Sequence, residues 1–387
     1  MQVLEPAPLD DDYLIVTLLS AGLAEILDRR ARSGSDEANT DGLLPVAWRA
    51  GFGRLWMRCA QLGQLPDWSD LDLLALCGRP MTTWPVALRL SSADLDQSLL
   101  DGGRLTDFAV QGVRIAGSDV EAGWTQRRVF DALVQAASQN GNSPSETQEA
   151  YARLRRFLID YAVVDDTRVM ELERHLPKRD NSGQTYVLNL IQTAYDQKRA
   201  TGDERYRLCR RCGNVVARRG VSCGTAGCGA DEPTRFVDLK PLAVIYEQNR
   251  ATRRYIHDPG LVEARILDDL HDDELAGTIR VTPYPKLDQL DILIEFLDRS
   301  GRTQVVETWG VDAKDQVSAT LLGRSFTWST DIRCDRRYLA LPMHRWRRAG
   351  YGKDLRAALA GRGHDVRVID EKSLLRKVRA RARELSR

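Results

Sequence analysis

The sequence has few of the features that mark membrane proteins, secreted proteins or histidine-based metal enzymes. It contains five histidines in 387 residues, and they do not repeat at metal-ligand spacing. The longest apolar run near the start, residues 13–26, is interrupted by Ser20, Gly22 and Glu25, and no basic segment precedes it. Neither a signal peptide nor a membrane span is therefore expected. The sequence therefore predicts a cytoplasmic protein. Gly-x-Ser-x-Gly, Walker and dinucleotide-binding patterns are also absent.

The sequence also has no large excess of positive or negative charge, because the formal net charge is only +1. The distribution is nevertheless uneven. Residues 331–387 contain 17 Lys and Arg against 7 Asp and Glu, a formal +10, and the rest of the chain has 39 against 48, or −9. A basic surface attracts polyphosphate backbones through counterion release, so DNA is the natural candidate partner. For residues 372–387 alone, a solvated helix face is an equal alternative.

The length of the chain and its pattern of helical and strand-like segments predict a multidomain α+β protein. Residues 1–200 are expected to form a mostly helical module, for DNA or partner binding or for plain packing. In that module Ser143, Pro144 and Glu146 are typical of a helix start, and the helix that follows carries an apolar stripe through Tyr151 and Leu158. Residues 239–387 alternate strand and helix patterns, which indicates an α/β domain with a mixed central sheet.

Four of the seven cysteines lie in one segment between these two regions, residues 201–238. Two thiolates on a Cys-x-x-Cys turn can share one tetrahedral ion, and a second pair completes the shell. Disulfides are the alternative, but thiols stay reduced in the cytoplasm. We therefore predict a four-cysteine zinc ribbon whose Zn²⁺ is structural, because no coordination position is left open. The predicted ligands are Cys209, Cys212, Cys223 and Cys228.

The candidate catalytic residues lie on a predicted hairpin. Asp291 opens an apolar strand that ends at Leu297, and Asp312 and Lys314 close a second strand after the turn 298–302. Because side chains alternate along a strand, Asp312 and Lys314 point to the same side, and Asp291 can approach them if the strands pair. The two carboxylates and the carbonyl of Ala313 are oxygen ligands suited to Mg²⁺ or Mn²⁺. An exposed ion pair at a strand end is the alternative for these residues alone.

The D-x20-D-x-K pattern on a hairpin, preceded by a helix with an acidic residue, resembles the PD-(D/E)xK restriction-endonuclease-like superfamily. The resemblance implies a Mg²⁺-dependent endonuclease, with Glu263 completing the metal site and Gln316 as an accessory catalytic residue. It covers roughly residues 255–370. Asp288 is a rival for the role of Asp291, which is preferred because it directly adjoins the apolar strand.

The order of helical module, cysteine segment and endonuclease core is also similar to nucleases encoded beside prokaryotic Piwi proteins of the conserved-Arg-and-Glu type. This narrower resemblance implies defence against phage or plasmid DNA, an R-loop or DNA substrate, and a Piwi-like protein and a helicase as partners. A homodimer is left open. The alternative is a non-catalytic zinc-ribbon DNA-binding or assembly protein with a degenerate nuclease fold. Candidate nucleic-acid contacts are Arg210, Arg211, Arg345, Arg347 and Arg348.

Overall fold

The computed structural model describes most of the chain in two compact units. The described residues are 12–32, 44–64, 69–116, 120–199, 206–216, 223, 225, 227–228, 236–239, 244–271, 277–298, 304–329, 331–360 and 365–386. Unit 1 combines residues 1–120 with the segments 316–327 and 347–364, and unit 2 contains the remainder. This division differs from the predicted domain boundaries after residues 200 and 238. Those boundaries stay predictions.

In its described residues, unit 1 is helical apart from one short hairpin. Its elements are α1 (Asp12–Arg32), α2 (Val46–Gln61), α3 (Asp70–Leu76), α4 (Ser92–Leu95), β1 (Leu100–Asp101), β2 (Arg104–Leu105), α5 (Asp107–Ala116), α13 (Ala319–Ser325) and α15 (Tyr351–Ala360), with a 3₁₀ turn at Met81–Thr83. The hydroxyls of Tyr13 and Ser318 both donate to Asp94 Oδ2, each at 2.8 Å. The segment before α13 is therefore anchored in a buried polar network of unit 1.

The helices α13 and α15 pack closely, and a glycine allows it. A Cβ added to Gly323 would lie 2.5 Å from Ala358 Cβ. Gly323→Ala is therefore expected to lower the stability of unit 1 by about 1–3 kcal/mol through overpacking. The matched control is Gly53→Ala in α2, where nothing lies within 4 Å of an added Cβ; it should be neutral or stabilise by up to about 1 kcal/mol. Thermal unfolding followed by circular dichroism compares the two, and equal Tm shifts would contradict the packing.

Unit 2 contains the remaining helices and ten strands of the described residues. Its elements are α6 (Val120–Asn140), α7 (Pro144–Asp160), β3 (Val163–Asp165), α8 (Asp166–His175), α9 (Tyr186–Ala194), β4 (Tyr195–Arg199), β5 (Tyr206–Cys209), β6 (Phe236–Leu239), β7 (Val244–Gln248), α10 (Arg250–Thr252), α11 (Asp258–Leu270), β8 (Ile279–Pro283), the turn α12 (Pro285–Asp288), β9 (Ile292–Leu297), β10 (Val305–Ala313), β11 (Arg336–Leu341), α14 (Met343–Trp346), β12 (Arg367–Asp370) and α16 (Glu371–Ser386). A π-helical turn, Arg253–His257, joins α10 to α11.

A mixed five-stranded sheet, with the order β12-β11-β10-β9-β8, forms the centre of the C-terminal part of unit 2. The pairs of β10 with β9 and of β9 with β8 are antiparallel, whereas β10 with β11 and β11 with β12 are parallel. Phe296, Trp309 and Tyr338 pack in a row across three strands, with ring centroids 4.8 and 5.1 Å apart. Such aromatic pairs add to the burial energy that fixes the strand register. Two further sheets have the orders β3-β7-β4 and β5-β6.

The structure confirms the predicted mixture of helices with a mixed sheet. The predicted helix start at Ser143 is also present, since the Ser143 side chain accepts from the backbone N–H of Glu146 and Pro144 opens α7. The edge strand β8 was not predicted, although Ile279 and Val281 alternate with polar residues. Most of the predicted hairpin turn lies outside the described residues. Within the described part of the chain, no helix combines the length and apolar character needed to cross a membrane.

Candidate active site and cysteine cluster

Strand pairing brings the predicted catalytic residues together at one end of the sheet. Ile292 in β9 lies opposite Val311 in β10, so Asp291, just before β9, reaches the end of β10. There the backbone N–H of Ala313 donates to Asp291 Oδ2 at 2.6 Å. The backbone N–H of Lys314 donates to the carbonyl of Ala340 at 3.0 Å, which extends the sheet by one residue. Main-chain bonds on both sides thus hold the segment that carries the cluster.

Lys314 lies between the two aspartates. Its Nζ contacts Asp312 Oδ1 directly and is 3.7 Å from Asp291 Oδ2. Burial lowers the pKa of the Lys314 ammonium, but the charges of Asp291 and Asp312 outweigh burial and raise it above its ordinary value. The charges of the two aspartates thus favour the charged form of Lys314.

Two further carboxylates approach from α11 and α12. Glu263 of α11 is only 3% exposed, and its Oε2 lies 3.6 Å from Nη2 of Arg155. Asp288 Oδ2 lies 3.7 Å from Nε of the same arginine. Asp288 has a φ of +77°, and Tyr284, Lys286 and Leu287 also have positive φ values. Left-handed conformations cost non-glycine residues roughly 1–2 kcal/mol each, and such strain clusters at functional sites.

Burial and mutual repulsion shift the pKa values of these carboxyl groups upward. Burial, followed by the charge of Asp291, raises the pKa of Glu263 to about 8. Burial raises the pKa of Asp291 to about 6, in spite of the opposing charge of Lys314. The pKa of Asp288 is also raised, first by burial. Without an additional cation, the site therefore retains carboxyl protons near neutral pH.

Glu263→Gln is expected to raise the Tm at pH 9 and to leave it nearly unchanged at pH 5, without added Mg²⁺ or Mn²⁺. The folded pKa of Glu263, about 8, exceeds its ordinary value of 4.5. The protonated carboxyl group of Glu263 makes its full contribution to the stability of the folded state below the ordinary pKa. This contribution is lost as the pH rises through about 8. Glutamine mimics the neutral acid at every pH. Differential scanning fluorimetry measures the effect, and the exposed Glu149→Gln in α7 serves as control; parallel curves for all three proteins would contradict the prediction.

The carboxylates at the end of the central sheet are suitable ligands for a hard divalent cation. Their oxygen atoms, however, are too far apart to bind one ion together in this arrangement. Glu263 Oε2 is buried and makes no hydrogen bond, and carboxylate oxygens are the ligands that Mg²⁺ prefers. Among the described residues, the four cysteines form a group of three or more ligands whose donor atoms all lie within 4.8 Å of one another, and the carboxylates do not. The ammonium of Lys314 instead bridges Asp291 and Asp312. The chemistry of these residues fits such an ion, and binding it requires the carboxylate oxygens to move closer together.

The four predicted cysteines form a compact cluster. The Sγ atoms of Cys209 and Cys228 are 3.5 Å apart, those of Cys212 and Cys223 are 3.6 Å apart, and all four lie within 4.8 Å of one another. Zn–S bonds of about 2.3 Å place tetrahedral sulfurs about 3.8 Å apart, which matches this spacing, whereas a disulfide requires about 2.05 Å. Burial raises the pKa of Cys212 to about 12, so a bound cation is needed to keep it a thiolate. The cluster can hold a metal ion such as zinc.

The cysteine cluster is connected to both sides of the carboxylate site within unit 2. Asn214, which follows the first cysteine pair, donates through Nδ2 to Asp258 at the start of α11 at 2.9 Å. Gly227 has a φ of +68°, and a Cβ there would lie 2.1 Å from Nδ1 of His344. His344 in turn is 3.2 Å from Asp315, one residue beyond Lys314. The cysteine cluster thus supports the helix that carries Glu263 and the segment that follows β10.

The remaining predicted residues occupy different surroundings. Gln316 belongs to unit 1, where its Oε1 accepts from Gln111 Nε2 at 2.6 Å. Arg345 is buried and donates through Nε to Asp315 at 2.6 Å, a contact that favours a structural role. Arg348 donates to the carbonyl of Val317 at 3.3 Å, and Arg347 is exposed.

Arg210 and Arg211 are exposed at the first cysteine turn. They line a cleft of about 520 Å³ that also borders α11 and the start of α16, with basic walls at Arg265 and Lys372 and acidic walls at Asp268. Of the predicted nucleic-acid contacts, these two arginines are thus placed on an accessible concave surface beside the cysteine cluster.

Sequence reasoning did not identify Arg155 or Gln148, both on α7. Gln148 Nε2 donates to the carbonyls of Pro283 and Tyr284 at 2.9 Å each, and thereby holds the left-handed turn that carries Asp288. One signal was present, because the apolar stripe of this helix runs through Tyr151, Leu154 and Leu158, and Arg155 falls on that same buried face. A charged residue on the core side of a helix requires a buried partner.

The C-terminal part of unit 2 thus combines a mixed five-stranded sheet with a carboxylate–lysine cluster at the end of its β9–β10 pair. Residues 260–386, about a third of the chain, match the family model described as "REase associating with pPIWI_RE". This match confirms the resemblance that the sequence indicated for that part of the chain. Searches of curated proteins and of solved structures found no match. The helix α7 and the cysteine cluster precede the matched residues.

Proposed function

We propose that this chain is a metal-dependent DNA endonuclease that hydrolyses phosphodiester bonds. One observation carries the proposal: Lys314 lies between Asp291 and Asp312 at the end of the central hairpin, beside buried Glu263, inside the region that matches a restriction-endonuclease family. Carboxylates paired with a lysine suit phosphodiester cleavage, which needs a cation site and a positive charge near the scissile phosphate.

Asp291, Asp312 and the carbonyl of Ala313 would hold Mg²⁺ or Mn²⁺, with Glu263 assisting. When bound, such an ion lowers the pKa of a coordinated water and stabilises charge on the phosphate. Lys314, which keeps its proton, donates to the attacking water or to a phosphate oxygen and offsets the charge that develops in the transition state. The hydrogen bond from Ala313 to Asp291 fixes that carboxylate against the strand end.

The proposed substrate is DNA. Exposed basic residues at the first cysteine turn and on α16, among them Arg210, Arg211, Lys372 and Arg376, would contact phosphates without reading sequence. The family description names a restriction endonuclease that associates with pPIWI_RE. We extend this to a prokaryotic Piwi-like protein as a partner, with a helicase and an R-loop substrate, in defence against phage or plasmid DNA.

The test uses the purified, zinc-loaded full chain with supercoiled plasmid, single-stranded DNA and an R-loop, each with Mg²⁺, with Mn²⁺ or without a divalent ion. The same reactions are repeated with the cognate Piwi-like protein. We expect nicking or linearisation that requires the divalent ion and increases on the preferred substrate. DNA binding with steep salt dependence but without cleavage, in the presence of the partner, would instead favour the non-catalytic DNA-binding protein.

A further inference from the structure

Two basic side chains and four carboxylates meet at the proposed active site. Each basic side chain lies between two carboxylates. Lys314 lies between Asp291 and Asp312, and Arg155 lies between Glu263 and Asp288. With all groups ionised, four negative and two positive charges leave a formal balance of −2. That balance corresponds to one divalent cation.

We propose that Arg155 takes the place of a second metal ion, so that this site binds one divalent cation per chain. This inference rests on the proposed function, since it concerns the metal complement of the same site. Arg155 is a positioning residue in this proposal: its guanidinium lies between Glu263 and Asp288 and places a positive charge beside both carboxyl groups. A single ion would then be held by Asp291 and Asp312, with Glu263 assisting.

The contacts of Arg155 differ from those of an ordinary structural salt bridge. A buried ion pair that stabilises a fold needs close hydrogen bonds to offset the desolvation of both partners. Arg155 is 7% exposed, yet its approaches to Glu263 and Asp288 are 3.6 and 3.7 Å. Its Nε and the Oε2 of Glu263 are buried without a hydrogen bond. At this spacing the guanidinium lies near both carboxyl groups without a hydrogen bond to Glu263 Oε2, so that oxygen stays available to a ligand.

The helix that carries Arg155 is fixed to both elements that carry these carboxylates. Arg156 makes a two-pronged contact with Asp268 of α11, at 2.8 and 2.9 Å. A Cβ on Gly260 of α11 would lie 2.5 Å from Ile159, so the two helices are in close contact. About two turns before Arg155, Gln148 binds the left-handed turn. The guanidinium is thus held in place by its helix.

By contrast, Arg153 of the same helix lies outside this environment. Arg153 is exposed, two positions before Arg155. It offers a matched control, because it has the same charge, the same helix and no contact with the carboxylates among the interactions of the described residues. Arg155 also precedes residues 260–386, so the matched region alone does not contain it.

The test measures Mn²⁺ stoichiometry and affinity by isothermal titration calorimetry and by electron paramagnetic resonance of free Mn²⁺, on the zinc-loaded full chain without DNA. Wild type and Arg153→Met are expected to bind one Mn²⁺, and Asp312→Ala to lose it. Arg155→Met should bind a second Mn²⁺, or bind the first at least about tenfold more tightly, because a buried positive charge has been removed. Arg155→Lys keeps the charge and should stay at one. Zinc content and Tm are recorded for every variant.

Two Mn²⁺ ions in wild type, both lost with Asp312→Ala, would overturn the role of Arg155 and leave the proposed nuclease intact. Unchanged stoichiometry and affinity in folded Arg155→Met would also overturn it. If Arg155→Met does not fold, the number of Mn²⁺ ions bound by wild type and by Arg155→Lys still tests the proposal. Two ions in either protein would overturn the role of Arg155. Wild type that binds no Mn²⁺ and cleaves no DNA would instead remove the proposed function itself.

Discussion

Lys314→Met is expected to lower the single-turnover rate of DNA cleavage by at least about 10²–10³-fold, the range found when one preorganised charge-stabilising group is removed. Methionine has a similar length but cannot offset negative charge on the phosphate. The ammonium is positioned by Asp291 and Asp312, whose charges raise its pKa and favour its charged form. The rate is measured at saturating enzyme and Mg²⁺, so that altered DNA affinity does not enter.

The control is Lys353→Met, an exposed lysine of α15, which should cleave at the wild-type rate. Lys314→Arg retains the charge in a larger group and should recover part of the activity. Folding is verified from the Tm, since removal of Lys314 also leaves Asp291 and Asp312 without the ammonium that lies between them. A folded Lys314→Met protein with undiminished cleavage would exclude Lys314 from the mechanism.

Cys212→Ser is expected to reduce bound zinc to background and to lower the Tm of unit 2 markedly. Structural zinc sites contribute on the order of 10 kcal/mol or more to the folding of small ribbons, and the Sγ of Cys212 is buried 3.6 Å from that of Cys223. Because Asn214 and Gly227 connect this cluster to α11 and to His344, loss of zinc should also reduce cleavage. Zinc is measured by inductively coupled plasma mass spectrometry.

Cys334→Ser is the matched control. Cys334 lies in unit 2 outside the cluster, half-buried, with its Sγ 3.7 Å from the carbonyl of Ile332. This variant should retain zinc and cleavage. Full zinc retention in Cys212→Ser would show that the cluster does not bind the metal through this ligand. Loss of zinc with unchanged cleavage would show that the ribbon and the carboxylate site are independent.

Much of the C-terminal fold could be predicted because its signals are local. The apolar run that ends at Leu297 predicted β9, and a helical pattern at residues 351–360 predicted α15. The spacing of the cysteines predicted the four residues that form the observed cluster. Strand patterns at residues 303–313 and 337–342 predicted β10 and β11 to within two residues. The edge strand β8 was not predicted, since a short strand with one polar face resembles a loop.

Domain organisation was harder to predict for a physical reason. Two segments from within the C-terminal region, residues 316–327 and 347–364, pack into unit 1. An amphipathic helix pattern shows that a helix such as α13 buries one face, but not which distant surface covers it. The same limit applies to Gln316, whose amide contacts Gln111, about two hundred residues earlier in the chain.

The sequence by itself determined the chemistry available to this protein. It specified four thiolates at zinc spacing, a carboxylate-x-lysine strand end and a second aspartate that opens the preceding strand, because each depends on residues within one or two adjacent elements. Tertiary structure decided which charges face one another. Arg155 and Glu263 are more than a hundred residues apart, and only the packing of α7 on α11 brings them to 3.6 Å. Burial at that contact, which no local pattern encodes, raises the pKa of Glu263 and sets the charge balance of the site.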